Sequence, residues 1–113
     1  KQALVDHREL DTTLLMRTLR NTIRVLSNVP ASRVVEIEAL PGETDIADLI
    51  PFVAGSESRG RVWGEGDIDG GIVAAGQVMG LIHDIPTVKE LIDRIIAEAE
   101  GIVAGRLPGL TTS

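Results

Sequence analysis

The 113-residue sequence predicts a mainly α-helical fold, and three observations carry that expectation. Apolar residues near the end of the chain recur at three- and four-residue steps, the period of one helix face. The apolar run from Gly71 to Ile82 is rich in small side chains and reads as a helix buried on nearly every side. The middle of the chain is cut by capping residues and turn residues into small helices, not a sheet.

In chain order, residues 11–16 come first, where Thr12, Thr13, Leu14, Leu15 and Met16 suit a short buried strand or a first helical turn, and the extended reading is preferred. Leu19, Ile23, Val25 and Leu26, with Arg17, Arg20 and Arg24 on other faces, then predict a helix that ends before Asn28 and Pro30. Ser32 is placed to cap a short helix through Leu40, which the Pro41-Gly42 turn closes. Thr44 is placed to cap another through about Leu49, ahead of Pro51. Between Gly55 and Gly71, six glycines interleave with Ser, Glu and Asp, which predicts loop with one helical turn around residues 59–63. The last element has the strongest signature: Val88, Leu91, Ile92, Ile95, Ile96, Ala99, Ile102 and Val103 form one apolar stripe. Thr87 and Glu90 make a capping box after Pro86, and Gly105 and Pro108 supply the stop, so this helix should run over 87–104. Gly101 inside it costs about 1 kcal/mol against Ala.

Composition limits the functions open to the chain. Seventeen Asp and Glu against eleven Lys and Arg give a charge of -6, and the basic residues are scattered, which argues against nucleic acid as a partner. With 43% hydrophobic residues the chain can build a core, yet no apolar run approaches the roughly 18 residues of a membrane span. The absence of cysteine excludes disulfides, thiolate catalysis and Cys-ligated metals, and the simplest compartment is the cytoplasm. Because the first residue is Lys1 rather than Met, the chain reads as a piece of a longer one.

Most chemical motifs fail on spacing. Residues 65–70 resemble the acidic half of a calcium loop, but the twelfth position, which needs a bidentate Glu, is Gly76. Gly64-Glu65-Gly66 opens a dinucleotide fingerprint whose third glycine is replaced by Asp69. Neither Ser56 nor Ser58 has the glycines of a nucleophile elbow. His7 and His83 are the only histidines and neither has a second ligand at helical spacing, so no metal site is expected; His83 beside Asp84 reads as a surface histidine before a helix. Gly76 and Gly80, four apart, would share one helix face and let a neighbouring backbone or a flat ligand come close.

Two phrases carry a family resemblance. Glu65-Gly66-Asp67-Ile68-Asp69-Gly70-Gly71-Ile72-Val73-Ala74-Ala75-Gly76-Gln77-Val78-Met79-Gly80-Leu81-Ile82-His83-Asp84-Ile85-Pro86, running into the final helix, resembles the C-terminal signature of the nitronate monooxygenase family, the former 2-nitropropane dioxygenases. Residues 11–22, Asp11-Thr12-Thr13-Leu14-Leu15-Met16-Arg17-Thr18-Leu19-Arg20-Asn21-Thr22, resemble the segment after the last barrel strand of the same family. Flavin-dependent enoyl-acyl carrier protein reductases share the Ala-Gly-Gln-x-x-Gly-Leu phrase at Ala75 to Leu81.

The resemblance implies the C-terminal helical part of an FMN-dependent (β/α)8 barrel flavoprotein. The barrel itself is absent, since it needs about 250 residues. Residues 1–10 would end a barrel helix, 11–71 would form a small helical domain, and 72–113 would be C-terminal helices packing back on the barrel. The implied activity is an oxidoreductase reaction in which an alkyl nitronate and dioxygen give a carbonyl compound and nitrite. The alternatives are NAD(P)H-dependent enoyl reduction, or a non-catalytic helical module. No catalytic residue is expected in this chain, because the family's histidine and phosphate loops precede Lys1. Ala74, Ala75, Gly76 and Gln77 would lie near the flavin, with Val73-Ala74 standing where many relatives carry an aromatic and a serine. The chain alone would not hold FMN tightly, would meet its small-molecule substrate only through the barrel, and would self-associate into a homo-oligomer through the stripe of the last helix.

Overall fold

The computed structural model describes residues 1–111; Thr112 and Ser113, the end of the expected C-terminal segment, lie outside the described residues. The chain divides into two units, Lys1–His83 and Asp84–Ser113.

In the first unit α1 (Gln2–Asp6) leads into the strands β1 (Thr12–Leu15) and β2 (Ile23–Leu26), then α2 (Val29–Glu38) and α3 (Ile46–Val53). The short α4 (Gly55–Glu57) widens into a π-type turn over Ser58–Glu65, and a 3-10 turn follows at Gln77–Leu81. β1 and β2 pair antiparallel, Thr12 opposite Leu26 and Leu15 opposite Ile23. The expected extended piece is therefore β1, but the helix expected across residues 19–26 is wrong, and so is the expectation of helices with no sheet. Ile23 and Val25 alternate as well as they step, and over four residues the two periods are hard to separate; pairing with β1 decides. Pairing aligns Leu15 and Val25 to one side, where both are buried with Ala31, Val34 and Leu49 as the core.

Helix boundaries also shift from the expected ones. Asn28, not Ser32, caps α2: its side chain accepts from the Ala31 amide, and Pro30 sits in the first turn, where the N–H it lacks would have had no intrahelical acceptor. Asp45, not Thr44, caps α3. That helix runs through Pro51, an interior proline costing about 3 kcal/mol, because Phe52 and Val53 beyond it pack against the core. The segment expected as loop is helical over Gly55–Glu57 and Ser58–Glu65 and contains the expected turn at 59–63.

In the second unit α5 (Val88–Gly101) begins at the expected capping box, with Thr87 and Glu90 each bonded to the other's backbone amide. The stop at Gly105 does not occur. A π-type turn over Ile102–Arg106 resets the hydrogen-bond register, so Pro108 enters in the first turn of α6 (Leu107–Thr111). Within this unit the stripe residues are exposed, Leu91 by 46% and Ile96 by 51%. Lys89 pairs with Asp93 and Arg94 with Asp84 along the polar side. Among the described residues no helix is long and apolar enough to cross a membrane.

Candidate functional site

Residues 72–76, which lead through the candidate site at Ala74 to Gln77, do not form the expected buried helix, and Gln77 opens the 3-10 turn. Val73 accepts from the Leu26 amide at 2.9 Å and the Ala75 amide donates to Arg24 at 3.3 Å, around a bridge between Val25 and Ala74. Successive amides of a strand point to opposite edges, so Arg24 and Leu26 serve this segment while Ile23 and Val25 serve β1. An extended rung on the free edge of β2 thus replaces the helix. The small side chains that looked like helix packing instead let this third chain lie flat against the hairpin.

Two buried polar side chains fix where this rung begins. Asn28 donates through Nδ2 to the carbonyls of Ile68 at 2.7 Å and Gly71 at 2.8 Å, while its Oδ1 accepts from Ala31 at 3.0 Å. One amide thereby caps α2 and ties it to the loop 40 and 43 positions away in sequence. Ser58, also buried, donates to the Ile72 carbonyl at 3.2 Å. Gly71 lies so close to Ser58 that a Cβ there would stand 2.8 Å from the Ser58 Cα and 2.9 Å from its nitrogen. Only glycine fits. Asp69 accepts from the Val29 amide at 2.9 Å, and Arg61 pairs with Asp67 to close the loop below. Among the described residues no buried side-chain nitrogen or oxygen lacks a partner.

Past this anchorage the chain turns outward. Ala74, Gly76 and Gln77 are exposed and Ala75 is half-buried, so the structure brings the four candidate residues together at one corner. Met79, 1% exposed, pins the 3-10 turn that follows, leaving Val78 and Leu81 outside. Gly76 is extended at φ -82°, and a Cβ on it would meet nothing nearer than Val78 Cγ1 at 3.9 Å. The close approach expected of Gly76 and Gly80 as one helix face is absent, because Gly76 precedes the turn. Gly80 instead admits Glu9, whose side chain a Cβ would strike.

The corner carries no titratable group, and its one polar side chain, the Gln77 amide, can orient a ligand but cannot relay a proton. The two histidines lie elsewhere in sequence and role: His7 Nδ1 sits 2.8 Å from the Ala3 carbonyl at the end of α1, and His83 is exposed. Among the described residues no three His, Asp or Glu side chains gather to hold a metal. Sequence reading named Asn28 only as a boundary and Ser58 only as a failed nucleophile. The Asn-x-Pro signal of a helix start at Asn28 was available to it, but the reach to residues 68 and 71 was not.

No protein-family model matches the chain. Over 35 residues, 31% of this chain and 10% of the relative, it is 54% identical to the (3aS,4S,5R,7aS)-5-hydroxy-7a-methyl-1-oxo-octahydro-1H-indene-4-carboxyl-CoA dehydrogenase of Rhodococcus jostii (strain RHA1). In three dimensions 97% of the chain superposes on FabK from Thermotoga maritima with a TM-score of 0.79 and 29% identity, covering 33% of that protein. The chain therefore shares the fold of about a third of FabK and spans a tenth of the dehydrogenase.

Proposed function

We propose that this chain is the helical portion of a flavin-dependent oxidoreductase of the enoyl-acyl carrier protein reductase type, reducing the carbon–carbon double bond of an acyl thioester. The observation that carries it is the match to FabK, a flavin-dependent enoyl-acyl carrier protein reductase, over nearly the whole chain. The dehydrogenase relative supports the same substrate class, since its name puts its substrate on coenzyme A, also a thioester. In this reading residues 1–10 end a barrel helix, 11–71 form the small domain and 72–113 return to the barrel.

The residues present fit one wall of a flavin site. At Gly76 the space a Cβ would fill is open and the two preceding side chains, Ala74 and Ala75, are methyl groups, so a flat ring can rest against the corner. Ala74, Ala75 and Gly76 would line that wall, and Gln77 would donate or accept one orienting hydrogen bond. No cation stands among these four residues, so they offer a phosphate no charged anchor, and the chain alone should hold FMN weakly. The flavin, when bound, supplies the hydride chemistry. This chain's part is to keep water from one side of the site and to fix the ligand's orientation.

The test is made on the intact enzyme: a yellow protein that consumes NAD(P)H only when an enoyl thioester is added supports the proposal. A second reading, nitronate oxidation, is favoured by the phrase at residues 65–86, and nitrite released from an alkyl nitronate without NAD(P)H would select it. A colourless protein inactive in both assays would leave a non-catalytic helical module. The exposed stripe of α5 also leads us to propose that the chain by itself self-associates, since each buried Leu or Ile contributes about 1.5 to 3 kcal/mol; a strictly monomeric species in analytical ultracentrifugation would overturn that.

A further inference from the structure

A groove of about 720 Å³ runs between the hairpin and the C-terminal half of α2, and none of residues 74–77 lines it. Its lining includes Arg17 and Arg24, and neither is among the ion pairs formed by the described residues. Arg24 is half-buried and spends one N–H on the Thr12 hydroxyl at 2.9 Å, so most of its five donors stay available. The groove's one carboxylate, Glu38, is already committed. Its Oε2 accepts from the Met16 amide at 2.9 Å, and its Oε1 from the Thr18 amide at 3.1 Å and hydroxyl at 2.7 Å.

That grip shapes the hairpin loop. Met16 at φ 60° and Arg20 at φ 54° hold the left-handed conformation, which is strained for non-glycine residues. The strained loop holds Arg17 and Thr18 at the groove. Two guanidiniums against one carboxylate leave this lining net positive in a chain of charge -6. Leu14, Val35 and Ala39 supply an apolar side, and the volume falls within the usual range for small-molecule sites of about 300 to 1,000 Å³.

We propose that this groove binds a small organic anion, a carboxylate or phosphate monoester, with its charged end at Arg17 and Arg24 and its apolar body against Leu14 and Val35. The guanidinium fork suits both head groups. The proposal rests on residues other than those of the flavin reading, so either can fail alone. The test titrates the 113-residue chain with benzoate, phenyl phosphate and benzyl alcohol at constant ionic strength in chloride, following backbone amides by NMR. Saturable shifts at Arg17, Thr18 and Arg24 with either anion are expected, the alcohol giving none. Saturation by one anion alone identifies the head group. Arg17→Gln, an exposed change, and Arg24→Gln should each weaken binding at least tenfold, with spectra otherwise those of the parent chain. No saturation by either anion, equal shifts with benzyl alcohol, or unchanged affinity in both variants would overturn the proposal.

Discussion

Replacing Asn28 with alanine removes three hydrogen bonds at once, and the structure allows the loss to be sized. The α2 cap is worth about 1 kcal/mol. The carbonyls of Ile68 and Gly71 lose the donor they share, at about 1 kcal/mol or more for each group left unsatisfied. Asn28→Ala should therefore destabilise the first unit by about 3 kcal/mol, lowering its midpoint by about 12 to 24 °C. Asn28→Asp separates the contributions: a carboxylate caps a helix N-terminus as well as an amide does, but cannot donate, and it sets a negative charge against two carbonyl oxygens. It should be destabilising even though the cap survives. The assay is urea unfolding by circular dichroism together with amide exchange at Leu26 and Ala75, whose N–H groups form the rung beside β2. If Asn28→Ala lies within 0.5 kcal/mol of the parent, or if Asn28→Asp is neutral, the amide is not what holds the 68–71 loop to α2.

Gly71→Ala should destabilise by about 1 to 3 kcal/mol, because the new methyl group meets Ser58 backbone rather than a movable side-chain tip; a melting temperature equal to the parent's would contradict the packing. Thr87→Ala should open the first turn of α5, read as several-fold faster amide exchange at Glu90 and Leu91 with little change in the first unit. Glu38 gives a pH dependence. Partial burial acts to raise its pKa, but hydrogen bonds from the Thr18 hydroxyl and from the amides of Thr18, Met16 and Arg17 outweigh it, so the folded value lies below the ordinary 4.5. The ionised form is then favoured by folding, so this contribution is present above pH 4.5 and fades as pH falls through the lower folded value. Urea midpoints measured from pH 6 to pH 3 should drop, and Glu38→Gln should flatten that part of the curve.

Local signals in the sequence translated well. The capping box at Thr87 and Glu90, the start of α5, the extended piece expected within residues 11–16 and found at 12–15, and the helical turn near residue 60 all depend on neighbours within a few positions, and all are observed. What failed depended on distant partners. Ile23 to Leu26 became a strand because β1 and residues 73–75 flank it, and a four-residue window cannot reveal either. Residues 71–76 looked helical because they are apolar and small, yet smallness here serves an extended rung. Gly105 and Pro108 signalled a stop that a single wide turn bypasses. The corner at Ala74 to Gln77 was named from resemblance; its anchors, Asn28 and Ser58, act across 43 and 14 positions, which no local pattern encodes.

Glycines 71 and 76 sit five residues apart and answer opposite questions. A glycine required by its own fold is recognised by what a Cβ would strike, and at Gly71 that is the Ser58 backbone. At Gly76 the backbone is extended, a conformation any residue adopts, and the space is open to Val78 at 3.9 Å. Nothing within this chain requires glycine there, so a cost on substitution must come from a body outside it, and the proposed flavin is such a body. Gly76→Val should leave the unfolding of this 113-residue chain within about 0.5 kcal/mol of the parent, the usual range for a surface change. In the proposed intact enzyme the same substitution should lower flavin occupancy or turnover, since the added isopropyl group would occupy the face on which the proposed ring would rest. Gln77→Ala should keep the flavin and change turnover or substrate affinity, through loss of one orienting hydrogen bond worth about 1 kcal/mol. If Gly76→Val unfolds the isolated chain, the glycine is structural after all; if it leaves the intact enzyme with full flavin and normal turnover, the corner faces solvent and the wall lies elsewhere.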